Sequence, residues 1–184
     1  FNNSPDMMVI ARRATGQIIT VNHAFEQQLG ISVTEALGKT GSELGLWGAQ
    51  VVIPELLDRL QREPLKNREV PMCRRNGEPF TSLLSAQPIQ FGNIDAMVLV
   101  GRDISELKNA QRQLQASEEK FAKAFHATPD GMLLTRIRDG KILETNKGFS
   151  KITGYSQTET QGRSTHSLQL WANTTDREWL TQQV

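Results

Sequence analysis

The sequence repeats one of its own segments 124 positions later. Residues 16–30 read GQIITVNHAFEQQLG, and residues 140–154 read GKILETNKGFSKITG. Aligned without a gap, residues 1–47 and 125–171 share 17 identical pairs, whereas average composition gives about one match in fifteen to twenty. A period of this length is that of a domain, not of a solenoid repeat. We therefore expect two related domains.

Each unit begins with the same predicted elements. Residues 6–12 and 17–21 are short apolar runs around a glycine turn, which indicates a β-hairpin. Asn22 then predicts the cap of a helix over 24–29, and a following glycine predicts its end. Ser32 opens a capping box for a second short helix. The second copy repeats all of these signals.

The rest of the first unit predicts one longer helix and more sheet. Leucines at helical spacing indicate a helix over 52–63, with a proline near each end. Turn signals then separate three predicted strands, which are 69–74, 80–88 and 94–102. Strands at both ends with helices between them indicate an α+β domain. We expect a five-stranded antiparallel sheet with the helices on one face.

The second copy ends before its match to the first is complete. It reaches only the equivalent of Leu60, so the three closing strands have no counterpart. About sixty residues with two strands bury too little apolar surface to be stable alone. We expect that a longer parent protein continues the chain, or that another chain supplies the missing edge. The predicted organisation is a first domain over 1–104, a connector helix over 105–125 and part of a second domain over 126–184.

Five motifs in order make the first unit resemble a PAS domain of the sensor-box type, and the second unit repeats the first three of them. They are F-x-x-x-P-D, G-x-I-x-x-x-N-x-x-F-x-x-x-x-G, S-x-T-E-x-x-G, R-R-N-G-E-P-F and G-R-D-I-S. The resemblance covers residues 1–105 and, in part, 125–184. It implies tandem PAS domains of a bacterial multidomain signalling protein. It also implies that Asp103, Ile104 and Ser105 relay a signal into the following helix, with Ser where the family commonly has Thr.

The segment after this triad predicts a helix by itself. Residues 105–125 lack Gly and Pro and are rich in helix formers, with Ser105 or Asp103 as the cap. Leu107, Leu114 and Phe121 recur every seven residues. One interpretation is a coiled coil that joins two copies of the chain. The other is a solvated linker helix with one apolar edge packed on a neighbouring domain.

Residues typical of enzymes and metal sites are missing from the sequence. The three histidines and the single cysteine, Cys73, have no partners at metal-binding spacing. No phosphate-binding loop or nucleophile elbow occurs. A net charge of +1 indicates neither nucleic-acid nor membrane-surface binding, and no apolar run approaches the roughly 20 residues of a membrane helix. We expect no catalytic residue, no metal and no membrane contact in this part of the parent.

The resemblance implies a ligand pocket instead. In flavin-binding PAS domains an Asn and a Trp at these positions help to hold the cofactor. Carried over, the candidates in the two units are Asn22, Phe25, Trp47, Asn146, Phe149 and Trp171. An indole can stack on a flat ring and an amide can bond its edge. FAD is the leading candidate. The alternative is no cofactor, with Asn22 as a helix cap, Phe25 as core and Trp47 packed over the sheet.

The expected function is sensing a small ligand and relaying its state to an output domain. Residues 168–177, L-Q-L-W-A-N-T-T-D-R, resemble the L-G-L-W-x-x-x-x-D-R pattern of PAS repeats that precede GGDEF or EAL enzymes of cyclic-di-GMP. The alternatives are a sensor histidine kinase and a ligand-free interaction module. We expect a homodimer through the connector helix or the sheet. A single cysteine favours a reducing, cytoplasmic location, with the parent either free or anchored to the inner membrane.

Overall fold

A computed structural model describes residues 1–48, 58 and 63–170. The chain divides into two compact units, Phe1–Gln111 and Arg112–Val184. The predicted helix over 52–63 lies outside the described residues except for Asp58 and Glu63. So does the second-unit segment from residue 171 onward. No helix among the described residues is long and apolar enough to cross a membrane.

The first unit has five strands and two short helices before the connector. The elements in chain order are β1 (Met7–Arg12), β2 (Ile18–Val21), α1 (His23–Leu29), α2 (Val33–Ala36), β3 (Leu65–Cys73), β4 (Pro79–Phe91) and β5 (Ile94–Asp103). The sheet order is β2-β1-β5-β4-β3, and every neighbouring pair is antiparallel. The predicted α+β fold with a five-stranded antiparallel sheet is confirmed.

One face of this sheet carries the core. Alternate residues of the strands point to the same face, so their apolar side chains collect there. Helix α1 adds Phe25 and Leu29, and α2 adds Ala36, all almost fully buried against the same cluster. The helices therefore lie on one face of the sheet, as predicted, and the core lies between the two layers.

Strands β3 and β4 are both longer than the sequence indicated. In β3 the register shifts between Leu65 and Arg68, where Asn67 has a φ of 46°. This bulge interrupts the alternation that marks a strand. Strand β4 runs past Pro88 because β3 pairs with it only as far as Ala86. Beyond that point no described strand pairs with this edge of β4, and a residue without an N–H is tolerated there.

The second unit repeats the beginning of the first. Its elements are β6 (Leu133–Thr135), β7 (Ile142–Thr145), α4 (Lys147–Thr153) and α5 (Gln157–Thr160). Strands β6 and β7 form an antiparallel hairpin. Ser156 and Glu159 make the complete capping box before α5. The equivalent cap in the first unit is half formed: Ser32 accepts from the N–H of Glu35, but the Glu35 carboxylate pairs with Arg75.

The connector is a continuous helix, α3 (Ser105–Ala127), two residues longer than predicted. Its apolar row is open to solvent, with Leu107, Leu114 and Phe121 at 60%, 62% and 51% exposure. Phe125, near its end, is buried in the second unit. The helix thus has an apolar edge without cover among the described residues.

Candidate functional site

A cavity of about 140 Å³ lies between the sheet and the helices of the first unit. We call it the first-unit cavity. Alternate residues of β1, β4 and β5 line it from the sheet side, namely Met7, Val9, Ala11, Leu84, Leu99 and Gly101. Phe25, Leu29, Leu46 and Trp47 close it from the other side. The lining is almost wholly apolar, and it contains no charged side chain among the described residues.

Two of the sequence-predicted site residues line this cavity. Phe25 is held there by α1, where it is 1% exposed. Trp47 is held by an isolated bridge to Met72. The indole also packs on Gly41, where an added Cβ would come within 2.8 Å of the ring. Close contact with a glycine therefore fixes the position of the ring at the cavity wall.

Asn22 lies outside the cavity lining. Its Oδ1 accepts hydrogen bonds from the N–H groups of Met8 and Phe25, at 2.9 and 3.0 Å. Its Nδ2 donates to the carbonyls of Asp6 and Phe1, at 2.9 and 3.2 Å. These four bonds use the full capacity of a side-chain amide. The arrangement does not support Asn22 as a cofactor ligand. It makes Asn22 a buried tie between β1 and α1.

Asn146 makes the same bonds in the second unit. Its Oδ1 accepts from the N–H groups of Met132 and Phe149, at 2.9 and 2.8 Å. Its Nδ2 donates to backbone carbonyls that include those of Phe125 and Asp130, both at 2.9 Å. The repeated asparagine thus has a repeated structural role.

The other second-unit candidates do not come together in a described pocket. Phe149 is 5% exposed on α4 and belongs to the packing of its own unit. Trp171 lies outside the described residues. The ligand site implied for the second unit therefore stays a prediction.

The predicted relay triad joins the sheet to the start of α3. Oδ1 of Asp103 accepts from the N–H of Ser105 at 2.8 Å, so Asp103 does the capping. The hydroxyl of Ser105 instead accepts from the N–H of Thr81 in β4, at 3.1 Å. The N–H of Ile104 donates to the carbonyl of Thr81 at 3.0 Å. Strand β4 and the first turn of α3 are therefore directly coupled.

Arg74 is a site residue that the sequence did not single out. Its Nη2 lies 2.5 Å from Oδ2 of Asp103, and its Nη1 donates to the carbonyl of Gln28 at 2.7 Å. Its guanidinium also lies 4.6 Å from the ring centre of Phe80, a cation–π contact. The R-R-N-G-E-P-F motif contains Arg74 and Phe80, but nothing in the motif indicates Asp103 as the partner. Arg74 links the end of α1, β4 and the relay triad.

These contacts decide the charge state of Asp103. Burial by itself raises the pKa of this carboxyl, but hydrogen bonds from Ser105 and Arg74 outweigh burial and hold the pKa below the usual aspartate range. Asp103 is therefore ionised at neutral pH. Lys108, one turn into α3, adds an ion pair with Glu69 of β3. The start of the helix is held by charge as well as by backbone bonds.

Other candidate chemistry is sparse. Among residues 1–48, 58 and 63–170 no group of three His, Cys, Asp or Glu side chains could hold a metal ion. Cys73 is a free, partly buried residue at the end of β3, on the sheet edge. Its backbone N–H donates to the carbonyl of Leu46 at 2.9 Å. The described residues thus provide two functional features, the first-unit cavity and the coupling of β4 to the start of α3.

Two family profiles, both described as PAS domain, match the chain. One covers residues 5–106 and the other residues 119–184. The two matches correspond to the two copies of the repeat. No protein with a curated description matches the chain.

Several solved structures are similar to parts of this chain. The PAS domain of an HTR-like protein from Haloarcula marismortui is 24% identical with a TM-score of 0.48, over 56% of this chain and 85% of that one. The LOV domain of a blue-light activated histidine kinase from Erythrobacter litoralis is 24% identical with a TM-score of 0.48, over 56% and 99%. An RNA-binding light-oxygen-voltage receptor is 16% identical with a TM-score of 0.51, over 64% and 35%. This last likeness extends to the fold alone.

Proposed function

Since this chain belongs to the PAS domain family, we propose that its first unit senses a small apolar ligand and signals through α3. The observation that supports this is the first-unit cavity, an apolar space whose sheet wall ends at the relay triad. Gly101 lines the cavity, and Asp103 follows two residues later on the same strand. A ligand that shifts β5 would therefore act directly on the cap of α3.

The cavity volume favours a ligand the size of a single ring. An engineered apolar cavity of about 150 Å³ takes up benzene, whereas pockets for larger ligands run to about 300–1,000 Å³. FAD, the leading candidate from the sequence, fits the described cavity poorly, because about 140 Å³ is small for its ring system and the Asn22 amide is fully bonded. Visible absorption by the purified full chain would reinstate FAD.

Calorimetric titration of the full chain with benzene tests the sensing function. We expect saturable binding, together with changed amide hydrogen exchange at Ser105–Lys108. Absence of binding would contradict the sensing role. Binding without any change in amide hydrogen exchange would contradict signal relay through α3.

A second function, dimerisation, is favoured by the open apolar row of α3. Leu107, Leu114 and Phe121 are each more than half exposed, and such a row suits pairing with a second copy of the helix. The sheet is the alternative surface for a homodimer. A ligand-free interaction module would use these surfaces alone.

The parent protein is part of the proposal. We propose a bacterial, cytoplasmic signalling protein, either free or anchored to the inner membrane, in which this regulatory region controls a GGDEF or EAL enzyme. A histidine kinase is the alternative output. The support is the sequence resemblance over residues 168–177, most of which lie outside the described residues. Cyclic-di-GMP turnover by the parent would test it, and autophosphorylation on histidine would favour the alternative.

A further inference from the structure

The two ends of the first-unit cavity differ in exposure. At one end lie Met7 and Gly101, which pair across β1 and β5 and are both buried. At the other end β1 passes Ala11, and the chain then turns through Thr15 and Gly16, which also line the cavity. Thr15 is exposed and Gly16 is half-buried. The cavity is therefore closed near Gly101 and reaches the surface at the turn between β1 and β2.

A second segment of the chain completes this surface end. Three further lining residues follow α2, namely Thr40, Gly41 and Ser42. Their segment is bonded to β2, because the N–H of Ile18 donates to the carbonyl of Lys39 at 2.8 Å. Ser42 is exposed, as Thr15 is. We call the five residues of the surface end the cavity mouth, and they are Thr15, Gly16, Thr40, Gly41 and Ser42.

The hydroxyl of Ser42 is available for a ligand, whereas the other two hydroxyls of the mouth are engaged. Oγ1 of Thr15 donates to Oε1 of Gln17 at 3.2 Å and accepts from the N–H of Gln17 at 3.3 Å. Oγ1 of Thr40 donates to the carboxylate of Glu43 at 2.9 Å and accepts from the N–H of Glu43 at 3.3 Å. The Ser42 hydroxyl makes no hydrogen bond to another described residue.

We propose that the first-unit cavity takes an uncharged amphipathic ligand of the alcohol class, with its hydroxyl at Ser42 and its apolar body toward Gly101. The proposal rests on the proposed sensing function. Burial is favourable for the apolar body, whereas a hydroxyl buried in the apolar wall would lose its partners. A serine hydroxyl both donates and accepts, so it suits an alcohol. A charged ligand is disfavoured, because no described lining residue carries a charge.

This orientation places the apolar body against the strand that carries the relay triad. Met97, Leu99 and Gly101 of β5 line the cavity between the mouth and the closed end. Asp103 lies two residues beyond Gly101 on the same strand. A ligand held at Ser42 therefore contacts β5 on the side that leads to the cap of α3.

Calorimetry with benzyl alcohol and toluene on the full chain and on Ser42→Ala tests the anchor. The hydroxyl is the difference between the two compounds. We expect the substitution to weaken benzyl alcohol binding about fivefold and to change toluene binding less than about twofold, since one hydrogen bond is lost. Ser42 is exposed and its hydroxyl bonds no described residue, so the variant should keep its fold.

Ser85→Ala is the matched control. Ser85 lies between Leu84 and Ala86, which are buried in the core, so its side chain is on the opposite face of β4 from the cavity. Its hydroxyl bonds to Asn67. Loss of this hydroxyl should leave both affinities unchanged.

Saturation-transfer NMR with benzyl alcohol tests the orientation without any substitution. We expect the ring protons to receive more saturation from the protein than the methylene protons beside the hydroxyl. The reason is that the cavity wall encloses the ring, whereas the hydroxyl end lies at the mouth. Stronger saturation of the methylene protons would overturn the orientation.

The outcomes separate this inference from the sensing function. If neither compound binds the unsubstituted chain, the sensing function fails and the anchor fails with it. If toluene binds and Ser42→Ala leaves benzyl alcohol affinity intact, the anchor alone is overturned. Tighter binding of benzoate than of benzyl alcohol would overturn the uncharged ligand class and leave the sensing function standing.

Discussion

At the scale of single residues, one asparagine in each unit ties a strand to a helix. Asn22 holds four backbone groups from β1, from α1 and from the chain before them. The residue is fully buried, so water cannot replace a lost bond. In the sequence Asn22 is recognisable only as a helix cap, which accounts for one of these four bonds.

Asn22→Ala should lower the free energy of unfolding of the first unit by about 3 kcal/mol. The substitution removes a cap and leaves buried backbone groups without partners. Urea denaturation measures the change. Asn93→Ala, in the exposed turn before β5, is the control and should alter stability by less than about 0.5 kcal/mol. Equal stabilities for the two variants would contradict the role assigned to Asn22.

Asp103 should make the free energy of unfolding of the first unit depend on pH in the acidic range. Its folded-state pKa lies below the unfolded value, so its contribution is present above the unfolded pKa of about 4 and is lost as pH falls through the folded pKa. We expect Asp103→Asn to be less stable than the natural chain at pH 7. The difference in free energy of unfolding between the two chains should shrink as pH falls below about 4. Denaturation curves across this range measure it, and a gap constant with pH would contradict the mechanism.

At the scale of elements, the start of α3 is built into the sheet. Ser105→Ala removes the hydroxyl that accepts the N–H of Thr81 and should cost about 1 kcal/mol. Ser105→Thr keeps the hydroxyl and should be nearly neutral. Faster amide exchange at Thr81 in the alanine variant only would identify the bond. Faster exchange in both variants would point to packing instead of the hydroxyl.

The elements could be predicted where local chemistry decides them. Asn22 and Gly30 mark both ends of α1 in the sequence, and Gly30 has the left-handed φ of 71° that such an end requires. The bulge at Asn67 and the extension of β4 past Pro88 could not be predicted in this way. The bulge depends on the register of β3 against β4, and the extension depends on the pairing of β4 with β5, so both are set by tertiary structure.

At the scale of the whole molecule, the apolar row of α3 predicts self-association. Leu114→Glu should raise the dimer dissociation constant at least about tenfold, since burial of a leucine contributes about 1.5–3 kcal/mol. Gln113→Glu adds the same charge at the neighbouring exposed position and should have little effect. Sedimentation velocity distinguishes them. A monomeric natural chain would overturn dimerisation through this helix.

The candidate site was only partly predictable. Phe25 and Trp47 follow from motif positions and do line the cavity. Arg74 could not be found from the sequence, because its partner Asp103 lies on β5 and only the folded sheet brings the two side chains together.

The hydrogen bonds of the Asn146 side chain affect how the second unit unfolds. The carbonyl of Phe125 is in the last turn of α3, and the residue four positions on is Pro129, which has no N–H to bond it. Asn146 supplies the missing donor and caps α4 with the same side chain. The final turn of α3 and the first turn of α4 should therefore melt together, as one cooperative step. A helix end that would ordinarily fray first becomes a place where unfolding is costly.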